Sequence, residues 1–521
     1  MAEPQAQTGD QPEPQAGTAL SRSVRIDGSA AEATLSGGTL AWRPSGGGGE
    51  RRRLELDSEV LGVRVEGRAL KVATFSSGDE AGAGRSSSSS SSRRPLARGG
   101  GRGGGDRRKG EVVVEMESEE AAATWGDAMR DHLASLGRPK RLFIIVNPYG
   151  GKRGGRRIFQ TEVLPLIEAA GILYTMQETK HRLHAQEIAH SLDLRKYDGI
   201  VCVSGDGVLV EVVNGLLQRE DWNTAIKIPL GIIPAGTGNG MAQSLLHLAG
   251  ESFSVSNAVL AIVRGHKRAL DVTSVVQGKI RFFSVLMLTW GLVADIDIES
   301  EKYRWMGSAR LDVYTLIRVV NLRRYNGRVL FVPAPGYEGF GHPVEQITGC
   351  KSNGDSTGVQ GDRSNDCDDE TCAYADPSID ETDLEWRSLD GPFVSVWVSG
   401  VPFASEDVMT APEANFGDGY LDVAIIKDCP WSVVLGLVFQ MRDGSYVKSP
   451  HVEYFKVKTL RIEPGMRVGS SGKGGIIDSD GEMIARGDGS HTGDEVDHLM
   501  AYGPPIQLTV DQGLATIFSP R

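Results

Sequence analysis

The sequence predicts an α/β unit with a parallel sheet, preceded by a small β-rich domain and followed by a larger β-rich one. Three observations carry that expectation. Between 141 and 240 four apolar runs lead into polar or Gly-rich turns, in RLFIIVNPYGGKRGG, ILYTMQET, YDGIVCVSGDG and IPLGIIPAGTGNG, with helical segments between them. This is the spacing of βαβ units, whose parallel sheet is covered on both faces. Ahead of them, SVRIDG, ATLSGGTLAWR, LELDSEVLGVRVEG and ALKVATF alternate apolar and polar residues between Gly-rich turns, as a meander of antiparallel strands does. After about 265 short strands return, in FVSVWVSG, GYLDVAIIK, FKVKTLRIE and PIQLTVD.

Taken in order, residues 1–18 are Gln, Pro and Glu with little to bury, and are expected to form a disordered tail. The β-rich accessory domain is expected over 19–138, interrupted by a disordered loop at 77–110 where a serine run precedes RRPLARGGGRGGGDRRKG. Such a run has nothing to pack against its chain entropy. EVVVEM then reads as a strand, and SEEAAATWGDAMRDHLASLG places Ala122, Trp125, Met129 and Leu133 on one helical face. The α/β unit is expected over 139–265, and the second β-rich domain over 266–521. The latter is interrupted by an acidic, Gly- and Ser-rich insert at 337–385 that holds Cys350, Cys367 and Cys372. Their irregular spacing lacks a paired C-x-x-C, so they read as free thiols.

A chain of 521 residues has ample sequence for several cores. A net charge of −12 argues against nucleic acid as a partner. Five scattered cysteines suggest a reducing compartment. The first residues lack the basic start and apolar core of a secretory signal. The longest apolar stretch, 282–294, is closed by Arg281 and Asp295, well short of the roughly 20 residues that span a bilayer. The expectation is a cytoplasmic protein, soluble or peripheral on a membrane.

In open parallel sheets ligands bind at the carboxyl ends of the strands. Glycines there let backbone N–H groups approach phosphate oxygens, and the next helix adds a favourable dipole. Asn147-Pro148-Tyr149-Gly150-Gly151-Lys152 and Gly236-Thr237-Gly238-Asn239-Gly240 are therefore candidate phosphate cradles. Between them stands Asp206, flanked by Gly205 and Gly207 at a strand-to-helix junction. A carboxylate there can orient a hydroxyl and take its proton during phosphoryl transfer. A tight turn alone would also select an isolated Gly-Asp-Gly. The sequence contains no G-x-x-x-x-G-K-[ST], no G-x-G-x-x-G at 236–240, and no kinase H-R-D or D-F-G, which argues against P-loop, Rossmann and protein-kinase chemistry.

NPYGGKRGG, SGDGVLVEVVNG and IPAGTGNGMA, in this order, resemble the lipid kinases with a diacylglycerol-kinase-type catalytic domain. MLTWGLVADIDIESEKYRWMGSAR and IIDSDGEMIARG resemble the sphingosine kinases within that group, over about 140–335 and 390–515. The N-terminal strands resemble those of plant long-chain base kinases, and strands closed by one helix with an inward Trp resemble a pleckstrin-homology domain. A β-rich accessory domain without a lipid site fits the same pattern.

The resemblance implies an N-terminal α/β nucleotide-binding domain and a C-terminal, β-sandwich-like lipid-binding domain, using ATP and Mg²⁺. The implied reaction is phosphorylation of the primary hydroxyl of a sphingoid base, namely sphingosine, dihydrosphingosine or phytosphingosine. Asp206 is then the catalytic base. Nucleotide contacts are implied for Asn147, Pro148, Tyr149, Gly150, Thr179, Ser204, Gly205, Gly207, Glu211, Gly236, Thr237, Gly238, Arg304, Arg310, Asp480, Gly481 and Glu482. Substrate contacts are implied for Asp297 together with Ser204, Gly205, Asp206 and Gly207, and no residue is assigned as a metal ligand.

Ceramide kinases resemble this chain closely but carry an apolar residue at the position of Asp297. Ceramide or diacylglycerol phosphorylation, and a membrane-docking scaffold with weak activity, are the alternatives. Glu301 and Lys302 read as an ion-pairing helix surface. His181, Arg182 and His184 read as a solvated helix start, because no clustered Cys or Asp completes a metal site. The resemblance also suggests peripheral attachment to a membrane, including an endomembrane such as the vacuolar one, and is silent on oligomeric state.

Overall fold

The computed structural model describes residues 19–45, 50–77, 107–151, 154–307, 309–344, 384–487 and 500–521. The expected tail at 1–18, most of the serine-arginine loop, Lys152, and most of the insert, with its three cysteines, lie outside the described residues.

Two compact units are present. The first is a seven-stranded antiparallel sheet of β1 (Leu20–Ile26), β2 (Ser29–Ser36), β3 (Thr39–Pro44), β4 (Arg52–Glu55), β5 (Val60–Glu66), β6 (Ala69–Ser77) and β7 (Arg107–Glu115), in the order β4-β3-β2-β1-β7-β6-β5. A helix, Glu119–Ser135, closes it. Ser118 caps that helix by accepting from Ala121 N at 3.2 Å, a bond that satisfies one of the free amides of the first turn. Ala122, Trp125, Met129 and Leu133 are buried with Leu40, Leu70, Val72 and Val114 of the strands. The loop expected from 77 to 110 is shorter, because 107–110 already pair with 74–77. Backbone ladder bonds extend past the apolar residues, so a basic Arg-Arg-Lys-Gly run does not mark the strand's end.

The second unit opens with parallel strands β8 (Arg141–Val146), β9 (Leu173–Glu178), β10 (Gly199–Ser204) and β11 (Pro229–Pro234), ordered β11-β10-β8-β9. Every residue of β10 is buried, while β9, at the sheet edge, exposes Leu173, Tyr174 and Met176. Helices Asp206–Leu217 and Gly240–Leu248 follow β10 and β11.

The chain then turns antiparallel in β12 (Lys267–Gln277), β13 (Ile280–Ser284) and β14 (Met287–Gly291). The apolar stretch read at 282–294 is divided among β13, β14 and the start of a helix, Leu292–Ser300. No helix among the described residues is long and apolar enough to cross a membrane. Next come β15 (Tyr325–Pro333), β16 (His342–Pro343), β17 (Arg387–Asp390), β18 (Phe393–Ser399), and a two-stranded ribbon of β19 (Phe403–Ser405) and β20 (Val408–Met409). The last strands are β21 (Leu421–Lys427), β22 (Val452–Arg467), β23 (Ile476–Ser479), β24 (Glu482–Arg486) and β25 (Ile506–Phe518).

The β25 strand joins the two sets. It runs parallel to β11, through Pro229↔Thr516 and Leu230↔Ile517, and antiparallel to β12 and β22. One continuous sheet therefore carries both the α/β layer and the β-rich layer. The start of the expected insert is also ordered: Phe340 stacks on Phe455 at 5.1 Å, and His342 and Pro343 pair with β17. Two aromatics in a Gly-rich composition, Tyr337 and Phe340, suffice to hold this edge.

Candidate active site

Three loops at the carboxyl ends of β8, β10 and β11 converge. In the first, Asn147 Oδ1 accepts from Tyr149 N at 2.9 Å and Gly150 N at 3.2 Å, an Asx turn that shapes the loop locally. The second and third touch backbone to backbone. A Cβ on Gly236 would lie 2.3 Å from Gly205 Cα, so any side chain there pushes the loops apart. Gly151, at φ +53°, would bring a Cβ 2.9 Å from Gly236 O. Gly151, Gly205 and Gly236 are thus demanded by one packing point, and several amides around it are held by side-chain oxygens of Asn147, Asn239 and Asp206.

Asp206 is the first residue of its helix and is buried. Its two oxygens accept from Gly240 N at 2.8 Å and Met241 N at 3.0 Å, the free amides at the start of the helix after β11. Burial pushes its pKa up, against the pull of those amides. The carboxyl is thus held in place by backbone amides. Ser204 is buried beside it, with its Oγ donating to Gly205 O at 2.9 Å.

Around this centre the remaining residues divide. Thr179 is buried at the end of β9, its N–H bonded to Val146 O at 3.0 Å. Glu211 accepts from Leu183 N and Ala185 N at 3.1 and 3.0 Å. It therefore holds a turn in which Leu183 takes φ +64°. Both its oxygens are engaged by the backbone, which makes it a loop anchor before it is a nucleotide contact. Arg182 pairs with Glu482 at 3.0 Å.

Asp480 and Gly481 form the two-residue turn between β23 and β24, with φ of 53° and 86°, as a type I′ hairpin requires. The Asp480 carboxyl faces inward, where Oδ1 accepts from Leu286 N and Met287 N, both at 2.9 Å. Burial pushes it up to about 6.

Asp295 and Asp297 both lie on the helix Leu292–Ser300 and have different surroundings. Asp295 is fully buried against Arg318, Arg323 and Tyr325, a structural knot. Asp297 stands near the 480–482 turn, its Oδ2 3.9 Å from where a Cβ on Gly481 would sit. Burial pushes Asp297 up to about 6; Arg310 pulls it down, while Glu301 and Glu482 add to the rise.

Arg310 is buried, with its guanidinium on Glu301 Oε1 at 2.5 Å and Ser300 Oγ at 3.1 Å. A phosphate contact would have to share it with Glu301. Lys302 does not extend the ion pairs; its ammonium sits over the rings of Tyr303 and Tyr314. The Arg304 side chain lies outside the described residues.

The sequence reading missed Glu187, one turn beyond the histidines. Ligand atoms of His181, His184 and Glu187 lie within 4.8 Å of one another. However, His184 Nδ1 already accepts from Lys180 N at 3.0 Å, and His181 and Glu187 are exposed. Asp478, two residues before the quoted turn acid, was also passed over. It is buried, and both Asp297 and Asp480 act on its charge.

Comparison with known proteins bears on this geometry. Residues 141–275 match the model of the diacylglycerol kinase catalytic domain, and 374–495 that of the YegS C-terminal NAD kinase beta sandwich-like domain. Sphingosine kinase 1 of Arabidopsis thaliana is 47% identical over 520 residues, covering 100% of this chain and 99% of that one. The chain belongs to the sphingosine kinase family. Sphingosine kinase 2 of the same plant is 47% identical over 499 residues, 96% of each chain. Human sphingosine kinase 1 is 32% identical over 359 residues, 67% of this chain and 87% of the human one. In this chain Asp206, Ser204 and glycines of three loops form one cluster, and Asp297, Asp478, Asp480 and Glu482 lie close enough to act on one another's charge, as Asp206 acts on that of Asp480.

Proposed function

We propose that the chain is an ATP-dependent lipid kinase that phosphorylates the primary hydroxyl of sphingoid long-chain bases. The observation that carries the reading is Asp206, buried at the meeting point of three Gly-rich loops and held by two helix-start amides. The substrate hydroxyl oxygen forms a bond to the γ-phosphorus, the bond from that phosphorus to the bridging oxygen of ADP breaks, and the hydroxyl proton passes to Asp206. The Gly-rich loops 147–151 and 236–238 cradle the phosphates, with Gly151, Thr237 and Gly238 offering their amides. Asp297 receives the ammonium of the base through a charge-assisted hydrogen bond that a neutral amide headgroup does not offer.

The acids near the nucleotide side are largely engaged, Glu211 and Asp480 by backbone amides and Glu482 by Arg182. That donor set suits Mg²⁺ carried in on the nucleotide phosphates with its own waters. Bound there, the ion would neutralise charge developing on the transferred group.

In this reading 139–265 is the catalytic domain, 266–521 the lipid-binding domain, and 19–138 a pleckstrin-homology-like module. Its seven-stranded sheet closed by one helix supports the last assignment. Peripheral attachment to a cytoplasmic membrane face follows from the need to reach a lipid substrate. The test offers purified protein a panel of sphingoid bases, ceramide and diacylglycerol with labelled ATP. Label in the sphingoid bases alone supports the proposal, and label chiefly in ceramide or diacylglycerol refutes it.

A further inference from the structure

The ribbon of β19 and β20 comes from the β-rich part of the chain, yet it is bonded along the third Gly-rich loop. Glu406 N donates to Gly238 O at 3.0 Å, and Ser405 pairs with Asn239 in an antiparallel bridge. The two backbones touch: a Cβ on Gly240 would lie 2.4 Å from Phe403 O. Phe403 N donates to the buried Ser244 Oγ at 3.0 Å, and the Phe403 ring meets His247 edge-on at 4.9 Å. The ribbon is therefore fastened both to the loop and to the helix Gly240–Leu248 that follows it. Its other strand is anchored elsewhere, where Met409 N donates to Met441 O at 2.7 Å, at the end of the helix Trp431–Gln440. That helix shares an apolar core with Leu292 and Ile296 of the helix that carries Asp297.

At the centre of the fastening is Asn239, 3% exposed and held at φ +59°, a left-handed conformation that asparagine tolerates better than most residues. Its Oδ1 accepts from Gly236 N at 2.9 Å, and its Nδ2 donates to Gly236 O at 3.2 Å and to Glu406 Oε1 at 3.4 Å. An ionised carboxylate only accepts, so Glu406 decides which end of the amide faces it. With Nδ2 turned to Glu406, Oδ1 is left for Gly236 N, and the loop closes on itself. The next amides along the chain, those of Gly240 and Met241, are the ones that hold Asp206. Gly238 lies between the two sides: a Cβ there would stand 3.5 Å from Asp206 Oδ2 and 3.6 Å from Ala404 O. One short loop thus carries both a phosphate cradle and the seat of the base, and a carboxylate from the ribbon closes its shape.

We infer that Glu406 is a positioning residue for phosphoryl transfer, fixing through Asn239 the separation between the phosphate cradle and Asp206. It contributes no atom to the reacting groups. The inference rests on the reading of Asp206 as base and of 236–238 as a cradle, and adds that the β-rich part of the chain also sets the geometry of the transfer.

Glu406 is exposed, so its substitution leaves the core intact. The experiment measures kcat, KM for ATP and melting temperature, with dihydrosphingosine as acceptor, for wild type, Glu406→Ala, Glu406→Gln, Asn239→Asp and the double variant Asn239→Asp with Glu406→Gln. Misplacing reacting groups by about 1 Å costs on the order of 100-fold, and loosening one clip of the loop is a part of that. Glu406→Ala is expected to lose about tenfold in kcat, with KM for ATP within about threefold and melting temperature within about 2 °C. Glu406→Gln, whose Oε1 accepts the same bond, is expected to keep at least about half of the wild-type kcat. Asn239→Asp sets a second carboxylate against Glu406 and is expected to fall about tenfold or more in kcat. Adding Glu406→Gln, whose amide donates to the new carboxylate, is expected to recover at least about threefold of that loss.

A wild-type kcat in Glu406→Ala, a loss in Glu406→Gln as large as in Glu406→Ala, or a double variant no better than Asn239→Asp overturns the inference. A fall in melting temperature and nucleotide affinity that matches the fall in kcat of Glu406→Ala overturns it as well, because the ribbon then serves stability alone. Failure of the wild type to phosphorylate any sphingoid base would instead refute the underlying reading.

Discussion

Replacing Asp206 by Asn separates chemistry from architecture, because the carboxyl serves both. Its oxygens accept from the amides of Gly240 and Met241. Asparagine has one oxygen, so one of these bonds is lost and an N–H is left facing the amide nitrogen. Hydrogen bonds to charged groups are worth about 1.5–3 kcal/mol. At a few degrees per kcal/mol for a large domain, the melting temperature should fall by several degrees while the protein stays folded. Removal of a general base costs typically about 10²–10⁴-fold in rate.

The assay is transfer of labelled phosphate from ATP to dihydrosphingosine, with calorimetric titration of nucleotide and a thermal melt on the same preparation. Turnover should fall at least 100-fold, while nucleotide affinity changes by no more than about fivefold. Turnover within tenfold of wild type in a folded variant would remove Asp206 from the base role. An unchanged melting temperature would show that its amide bonds matter less than the geometry indicates.

Asp297→Asn should lose roughly 10- to 100-fold in kcat/KM on a charged sphingoid base, but little on its N-acylated counterpart; equal losses on both would make Asp297 structural. Only the Asp297 carboxylate pairs with an ammonium, so wild-type kcat/KM should decline as pH falls through about 6, and pH profiles of the two proteins should differ in that limb. A raised carboxylate pKa means the folded state binds the proton more tightly, so the ionised group costs stability above about pH 6. The asparagine variant should accordingly melt higher than wild type at pH 7.5, with a gain that shrinks as pH drops toward 4. Gly236→Ala, with its Cβ 2.3 Å from Gly205 Cα, should lower both melting temperature and nucleotide affinity, whereas wild-type-like titration would show that the loops part easily. Deleting 345–380, a stretch whose composition builds no core, should leave turnover within about twofold in the same assay.

Features that depend on near neighbours in the chain were legible in the sequence. The turns after β8, β10 and β11 announce themselves by glycine beside an apolar run. The buried face of helix Glu119–Ser135 follows from spacings of three and four. What stayed hidden depends on partners far away. Nothing local says that 229–230 will pair with 516–517, that Glu211 will face the amides of 183 and 185, or that Arg310 will turn to Glu301. The resemblance implied a nucleotide contact for Asp480 on an Asp-Gly turn. The turn is there, but its carboxyl is buried because Leu286 and Met287 present two amides to it.

The strand β25 has a mechanical consequence. A kinase whose two lobes meet only at a flexible hinge admits its substrate by opening the lobes like a jaw. Here hydrogen bonds run from β11 through β25 into β12 and β22, so swinging one layer away from the other would tear a sheet ladder. Such a frame is stiff across its width. Entry of a long-chain substrate and departure of its product then fall to elements riding on the frame, such as the helix Ala309–Val320, which exposes Val313, Leu316, Ile317 and Val320.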